Sequence, residues 1–122
     1  MSPFALVIDD NRQMADALVS MLGVLGIQAM TAYGSSPGMS ALRASTPSMV
    51  FLDINMPGVT GHEVLRFLRR EPRLLNVPVF IVTSDDQPET REMALKEGAT
   101  KVLYKPAELD DVEAALKENG LL

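Results

Sequence analysis

The chain has 122 residues, of which 47% are hydrophobic and 22% are charged, a balance that is typical of one folded domain and excludes disorder by composition. Lysine and arginine total 11 against 16 aspartates and glutamates, and this net charge of −5 argues against direct binding to nucleic acid or an anionic membrane. The absence of cysteine excludes disulfides and thiolate chemistry, and a single histidine, His62, excludes a multi-histidine metal cage. Any metal ion would therefore need oxygen ligands.

No apolar run reaches the roughly 18 residues that a membrane-spanning helix needs, and Met1–Pro3 lacks the basic and apolar regions of a signal peptide. We therefore expect a cytoplasmic protein with no membrane partner. Only Asn119–Leu122 follows the last predicted helix. We accordingly expect residues 1–122 to form one domain, with no output domain in this chain.

Apolar runs of strand length alternate with stretches in which apolar residues recur at helical spacing. In chain order, the predicted elements are a strand at 4–8, a helix at 11–25, a strand at 27–31, a helix at 37–44, a strand at 49–52, a helix at 63–70, a strand at 77–82, a helix at 88–97, a strand at 102–104 and a helix at 109–118. Ser36 before Pro37 predicts the N-cap of the second helix. Nearly continuous apolar strands joined through helices predict one parallel sheet with right-handed crossovers and helices on both faces.

Polar residues stand at the carboxyl ends of four predicted strands. In chain order they are Asp9, Asp10, Asp53, Thr83 and Lys105. In a parallel α/β sheet, ligands bind in the crevice beyond this edge. We therefore expect these five side chains to converge on one site.

Each of these residues also has a simpler interpretation when it is taken alone. Asp10 forms a D-x-x-Q capping box with Gln13, which favours a helix cap, and Asp53 could be an ordinary loop residue. Thr83 could cap a turn, and Lys105 could be an exposed surface residue. Only the convergence of the group favours a functional site.

Three carboxylates at one edge of a sheet would repel one another unless a cation neutralised them. An open site with oxygen ligands favours Mg²⁺ over a fully enclosed Ca²⁺, because Mg²⁺ retains water and accepts phosphate oxygens. A carboxylate can itself act as a nucleophile and form an aspartyl-phosphate. Thr83 and Lys105 would then offer a hydroxyl and an ammonium group to the added negative charge.

The motifs Val7–Asp10, Asp53–Gly58, Val82–Ser84 and Lys105–Pro106 occur in an order and spacing that resemble a bacterial two-component response-regulator receiver domain of the chemotaxis-regulator type. The resemblance covers essentially the whole chain. It implies a flavodoxin-like (βα)5 fold with a five-stranded parallel sheet in the order 2-1-3-4-5.

The resemblance also implies the roles of the acidic residues. Asp53 would be the phospho-acceptor and would contribute to the Mg²⁺ site. Asp9 and Asp10 would hold the ion directly or through water, and the backbone carbonyl of Asn55 would complete the protein ligands.

For the phosphorylated state, the resemblance implies that Thr83 bonds a phosphate oxygen and that Lys105 forms an ion pair with the phosphate. A cis peptide is implied between Lys105 and Pro106. The phosphoryl donor would be a histidine kinase or a histidine phosphotransfer protein. A downstream effector would bind the face formed by the fourth helix, fifth strand and fifth helix. The domain would catalyse only its own phosphorylation and dephosphorylation.

Two positions depart from the family pattern. An aromatic residue commonly stands three positions before the lysine, where this chain has Val102, and Ala107 replaces a phenylalanine that often follows the Lys-Pro pair. Tyr104 lies on the same side of its strand as Val102 and is a possible substitute for the missing aromatic.

Two other functions would account for part of this pattern. An aspartate-nucleophile phosphohydrolase also uses Mg²⁺, but its nucleophile usually lies in a D-x-D pair on the first strand, where this chain has adjacent Asp9 and Asp10. A degenerate receiver that only docks partners would have lost an acid, the acceptor or the lysine, and all are present.

Two features of the third helix carry no predicted function. His62 has no acid, serine or second histidine nearby in the sequence, so we expect an exposed structural residue. Arg66, Arg69 and Arg70 are expected to form a solvated helix face.

Overall fold

The computed structural model describes residues 3–122, in which five parallel strands form one sheet in the order β2-β1-β3-β4-β5. The strands are β1 (Ala5–Ile8), β2 (Ala29–Ala32), β3 (Met49–Leu52), β4 (Val79–Thr83) and β5 (Lys101–Tyr104). The helices are α1 (Arg12–Val24), α2 (Ser35–Ala44), α3 (Gly61–Arg70), α4 (Pro88–Lys96) and α5 (Leu109–Glu118), with a short 3-10 helix at Pro72–Leu74. The predicted fold class and strand order are confirmed.

The sheet is covered on both faces because alternate residues of its strands pack into two separate clusters. Every residue of β1, β3 and β4 is buried. Buried residues of α2, α3 and α4 pack on one face, and those of α1 and α5 pack on the other. In the cluster covered by α1 and α5, the rings of Phe51 and Phe80 stack with centroids 5.0 Å apart. This two-sided burial is why the strands are nearly continuous apolar runs in the sequence.

The N-caps of α1 and α2 differ from the predictions. Asn11, not Asp10, caps α1, because its side chain accepts a hydrogen bond from the backbone N–H of Met14. The predicted capping box of Asp10 and Gln13 is therefore wrong. Gly34, with φ of 120°, takes the N-cap position of α2 that was predicted for Ser36.

Strand boundaries shift by one or two residues, and two shifts have a local cause. β2 begins at Ala29 and not at residue 27, because the N–H of Ile27 still bonds the carbonyl of Leu22 in the turn that ends α1. β4 extends to Thr83, which pairs in register with Tyr104 of β5. Thr83 is thus part of the sheet and not of the loop that follows it.

Within the described part of the chain, no helix has the length and apolar character needed to cross a membrane. The longest helix, α1, has 13 residues, whereas a bilayer requires about 20.

Candidate functional site

Three carboxylates meet at the carboxyl edge of the sheet. Asp9 and Asp10 follow β1 and Asp53 follows β3, and these neighbouring strands end at the paired residues Ile8 and Leu52. Each aspartate offers one oxygen, and these oxygens all lie within 4.8 Å of one another. Asp9 and Asp53 are buried, whereas Asp10 is exposed. The site is therefore open to solvent on the side of Asp10.

Lys105, which follows β5, extends its side chain into this acidic group. Its Nζ lies 2.9 Å from Oδ2 of Asp9 and 3.6 Å from Oδ2 of Asp53. The other oxygen of Asp9 accepts a hydrogen bond from the N–H of Asn11 at 2.9 Å. The peptide bond between Lys105 and Pro106 is cis, as predicted.

The surroundings of Asp53 oppose its ionisation. Burial raises its pKa from 3.8 to about 6, and repulsion from Asp9 and Asp10 acts in the same direction. The charge of Lys105 and a hydrogen bond from the N–H of Asn55 lower the pKa and only partly offset these effects. The charge of Lys105 therefore does not outweigh the effect of burial on the pKa of Asp53.

This arrangement fits a hard divalent cation. The converging donors are carboxylate oxygens, which Mg²⁺ prefers, and the exposed position of Asp10 leaves room for water ligands. Burial is the main cause of the raised pKa of Asp53, and a bound cation would favour the ionised carboxylate.

Thr83 is fully buried at the end of β4, and its hydroxyl is already engaged. Oγ1 of Thr83 accepts a hydrogen bond from the N–H of Asp85 at 3.1 Å. The carboxylate of Asp85 in turn accepts hydrogen bonds from the N–H of Gln87 and the hydroxyl of Thr90. Both hydrogen bonds, and the one from Gln87 more strongly, hold the pKa of Asp85 below its usual value. The sequence predicted Thr83 but missed its connection to α4 through Asp85.

The loop between β3 and α3 is held by two residues that the sequence did not identify as part of the site. Gly61 approaches the backbone of Asp53 and Ile54 so closely that a Cβ on it would lie 2.6 Å from the Cα of Ile54. The buried hydroxyl of Ser35 donates a hydrogen bond to the carbonyl of Pro57 at 3.2 Å. Gly61 ends a Pro- and Gly-rich segment, but its close approach depends on a contact that the sequence does not show.

The two candidates for the aromatic position have different environments. Val102 is buried and pairs with Ile81, whereas Tyr104 is 40% exposed and pairs with Thr83. The ring of Tyr104 thus belongs to the surface next to the strand end that carries Thr83.

The predicted exposure of His62 was wrong, although its role in the structure is a structural one. Its Nδ1 forms a hydrogen bond with Glu97, which also binds the guanidinium of Arg66. The side chain of His62 is only 20% exposed. The acid partner was missed because Glu97 lies 35 residues away in the sequence and meets α3 only in the fold.

The arginine row is also less solvated than predicted. Besides the pairing of Arg66 with Glu97, Arg69 donates from Nε to the carbonyl of Gly98 at 2.9 Å and from a terminal nitrogen to the carbonyl of Leu75 at 3.1 Å. Burial lowers the pKa of Arg69. Of the three, only Arg70 is exposed as predicted.

A small cavity of about 110 Å³ opens beside the site, between α1 and the segment that follows β5. Asp9 and Lys105 form its polar side. Its apolar lining comprises Met14, Ala17, Leu18, Met21, Val82, Pro106 and Ala107. An apolar surface therefore adjoins the acidic group.

Comparisons with known proteins agree with this geometry. The chain is 33% identical to protein PilH of Pseudomonas aeruginosa over 112 residues, covering 92% of this chain and 90% of PilH. It is 36% identical to the transcriptional regulatory protein KdpE of Mycobacterium tuberculosis, covering 92% of this chain, and spans about half of that protein, 48% of its length.

Among solved structures, the receiver domain of the Francisella response regulator 1452 matches with a TM-score of 0.84 and 27% identity, over 98% of this chain and 96% of that one. The chemotaxis protein CheY4 of Vibrio cholerae matches in fold, with a TM-score of 0.88 and 22% identity, over 97% and 98% of the two chains. The family described as Response regulator receiver domain matches residues 5–117. This chain therefore belongs to the response regulator receiver domain family.

Proposed function

We propose that this domain accepts a phosphoryl group on Asp53 from a phospho-histidine of a partner protein, in a Mg²⁺-dependent reaction, and signals through a change of its surface. The observation that carries the proposal is the convergence of three carboxylates and one lysine at the strand ends. The similarity to KdpE, which is named a transcriptional regulatory protein, supports a role in regulation, and PilH is a relative of nearly the same length.

In the proposed step, a carboxylate oxygen of Asp53 attacks phosphorus opposite the bond to the donor's imidazole nitrogen. The new O–P bond forms as the N–P bond breaks. The electron pair of the broken bond stays on the imidazole nitrogen. A ring that carries a proton on its other nitrogen leaves as neutral histidine, and a ring without that proton takes one from solvent. The product is an aspartyl-phosphate and a free histidine on the partner.

The residues around Asp53 have separate roles in this scheme. Lys105 lies between Asp9 and Asp53, so a short movement of its ammonium group would pair it with the added phosphoryl oxygens. Thr83 would exchange its bond from Asp85 for a bond to the phosphoryl group. Asp9, Asp10, Asp53 and the carbonyl of Asn55 would hold Mg²⁺. The bound ion would neutralise negative charge on the transferring phosphoryl group.

The partner of the phosphoryl transfer is proposed to be a histidine kinase or a histidine phosphotransfer protein. The apolar cavity beside Asp9 and Lys105 supports this proposal, because a protein that presents a phospho-histidine to Asp53 must cover the neighbouring surface. A downstream effector is proposed to bind the face of α4, β5 and α5, on which Met93 and Tyr104 are exposed. We further propose that the domain catalyses only its own phosphorylation and dephosphorylation.

The test uses acetyl phosphate as a small donor, with intact-mass analysis of the protein. We expect the mass of one phosphoryl group to be added in the presence of Mg²⁺, and no addition with a chelator or in Asp53→Asn. Asp86→Asn, a change at an exposed carboxylate outside the site, is the matched control and should gain the same mass as the wild type. A mass gain that persists in Asp53→Asn would contradict the assignment of the acceptor.

A second measurement tests the metal ligands. Asp10→Asn removes one charge from the exposed side of the acidic group, so we expect weaker Mg²⁺ binding in calorimetric titration. Equal affinity in the variant and the wild type would remove Asp10 from the ligand set. Continuous release of phosphate from a generic phosphoester by the wild type would instead favour the phosphohydrolase.

A further inference from the structure

Helix α4 has little buried apolar surface, and polar bonds hold both of its ends. Ala94 is its one fully buried residue, Leu95 packs partly buried against the core, and Met93 is 54% exposed. A helix with so little buried apolar surface is held weakly and can move at low free-energy cost. The polar bonds at its two ends therefore determine how it can move.

The C-terminal end of α4 is fixed to α3. Glu97, the residue after the last helical position, binds both His62 and Arg66. The next residue, Gly98, accepts a hydrogen bond through its carbonyl from Arg69, which is also on α3. Three side chains of one rigid helix thus hold this end in place.

The N-terminal end is held differently, through Asp85. The N-cap residue Gln87 makes no capping bond with its side chain. Instead, the carboxylate of Asp85 accepts bonds from the N–H of Gln87 at 3.0 Å and from the hydroxyl of Thr90 at 2.7 Å. A negative charge at a helix N-terminus is also favourable to the helix dipole. The first turn of α4 therefore follows the position of Asp85.

Asp85 is joined in turn to the site, because its N–H donates to Oγ1 of Thr83 at 3.1 Å. Three hydrogen bonds therefore connect the hydroxyl of Thr83 to the first turn of α4. If Thr83 turns its hydroxyl toward a phosphoryl group on Asp53, the N–H of Asp85 loses its acceptor and the loop must readjust. Because the carboxylate of Asp85 holds both Gln87 and Thr90, the adjustment passes to the helix.

We infer that Asp85 is a positioning residue that transmits the state of Thr83 to the N-terminal end of α4, while Glu97 keeps the C-terminal end fixed. This inference rests on the proposed function, since phosphorylation of Asp53 is what moves Thr83. It accounts for signalling in a chain with Val102 at the usual aromatic position, because the path runs through the loop from Thr83 to Gln87. The helix turns about its C-terminal end.

The test compares backbone amide NMR shifts with and without beryllofluoride, an analogue of the phosphoryl group, in the presence of Mg²⁺ and at saturation. In the wild type, we expect large shifts at residues 83–92 and small ones at residues 97–99. Asp85→Ala removes both bonds to α4, so the shifts at residues 88–92 should be much smaller than in the wild type, while those around Asp53 persist. Asp86→Ala is the matched control and should respond as the wild type does.

Thr90 provides a second and milder test that leaves the loop sequence intact. Thr90→Val removes the hydroxyl and keeps the side-chain shape, so it should reduce the response of α4, whereas Thr90→Ser keeps the hydroxyl and should restore it. A merely structural role would lower the free energy of unfolding of Thr90→Val but would leave its beryllofluoride-induced shifts in α4 as large as those of the wild type. A full response of α4 in both Asp85→Ala and Thr90→Val would overturn the inference alone. No response anywhere in the wild type would overturn the proposed function and the inference together.

Discussion

Asp53 combines burial with a concentration of like charge, and both raise its pKa to about 6. The folded chain therefore binds the proton of this carboxyl more tightly than the unfolded chain does. It follows that the contribution of Asp53 to the free energy of unfolding falls as the pH rises from about 4 to about 6 and stays low above that range. In metal-free protein at neutral pH, the ionised acceptor thus reduces the stability of the fold.

We expect Asp53→Asn to stabilise the metal-free protein at about pH 7.5 by roughly 1–3 kcal/mol, because the variant carries no charge at this buried position. The gain should shrink as the pH falls toward about 4.5, where the wild-type carboxyl is increasingly protonated in the folded state. Urea unfolding with a chelator present measures both values. A variant that is no more stable than the wild type at the higher pH would show that the carboxylate is better compensated than its surroundings indicate.

Gly61 has no room for a side chain. In Gly61→Ala the new Cβ would collide with the carbonyl oxygen of Asp53 and the Cα of Ile54, which are backbone atoms that cannot move independently. We expect a loss of about 1–3 kcal/mol in the free energy of unfolding and slower phosphorylation by acetyl phosphate. Gly23→Ala is the control, since its added Cβ meets no atom within 4 Å apart from its chain neighbours and the nearby backbone of α1 itself. It should stabilise the protein by about 0.5–1 kcal/mol.

The sequence was informative about single residues where the end of an apolar run marked the position. Asp53 and Lys105 were predicted in this way, and both lie at the acidic group in the structure. The contacts of Gly61 and of Ser35 with Pro57 could not be predicted, because they join segments whose approach depends on the packed loop. Asp10 and Asn11 were confused because both residue types can cap a helix and they are adjacent.

At the level of elements, α3 holds α4 through side chains that were expected to face solvent. Glu97 has a side chain that is only 15% exposed and two basic partners. Hydrogen bonds to charged groups that are partly buried contribute more to stability than exposed ion pairs do. The contacts between α3 and the end of α4 are therefore a substantial part of what fixes this helix.

We expect Glu97→Ala to lower the free energy of unfolding by about 1–2 kcal/mol, because the substitution leaves His62 and Arg66 without their acceptor. Glu113→Ala is the matched control: Glu113 pairs with Lys117 one turn along α5 at 3.7 Å, and its loss should cost less than about 0.5 kcal/mol. Urea unfolding of both variants gives the comparison. Equal costs would mean that the pairing between α3 and α4 contributes no more than a surface ion pair.

The types and order of the elements were predictable, because buried parallel strands leave apolar runs that few other structures produce. The residues at which the elements begin and end were less predictable. The start of β2 depends on whether Ile27 bonds the end of α1 or the sheet, and both choices suit its apolar side chain. The pairing of His62 with Glu97 was missed for a related reason, since a helical pattern shows which face is polar but not what that face contacts.

Across the whole molecule, the strand order brings the acidic group and the exposed face of α4 and β5 to neighbouring positions. Thr83 is the common point, since it ends β4 beside the site, pairs with Tyr104 on β5 and reaches α4 through Asp85. A change at the site can therefore reach this face by two paths. One path runs through the hydrogen bonds of the loop after Thr83. The other runs through the repacking of side chains into the volume next to Thr83.

The second path depends on which side chain fills the volume next to Thr83. If Thr83 turns toward the phosphoryl group, it vacates space at the strand end. Val102 is buried, pairs with Ile81 and has too short a side chain to fill that space. Tyr104 is in register with Thr83 and is 40% exposed, so it has both the reach and the freedom to turn inward.

The chain contains no tryptophan and two tyrosines, so Tyr33→Phe leaves Tyr104 as the sole tyrosine and a specific fluorescence probe. We expect acrylamide to quench this fluorescence less efficiently when beryllofluoride and Mg²⁺ are bound, because the ring of Tyr104 then lies deeper. The same protein carrying Asp53→Asn is the control and should show no change, since it lacks the acceptor carboxylate. Unchanged quenching in the Tyr33→Phe protein, with amide shifts still present in α4, would mean that Tyr104 does not replace the missing aromatic and that the loop through Asp85 carries the signal alone.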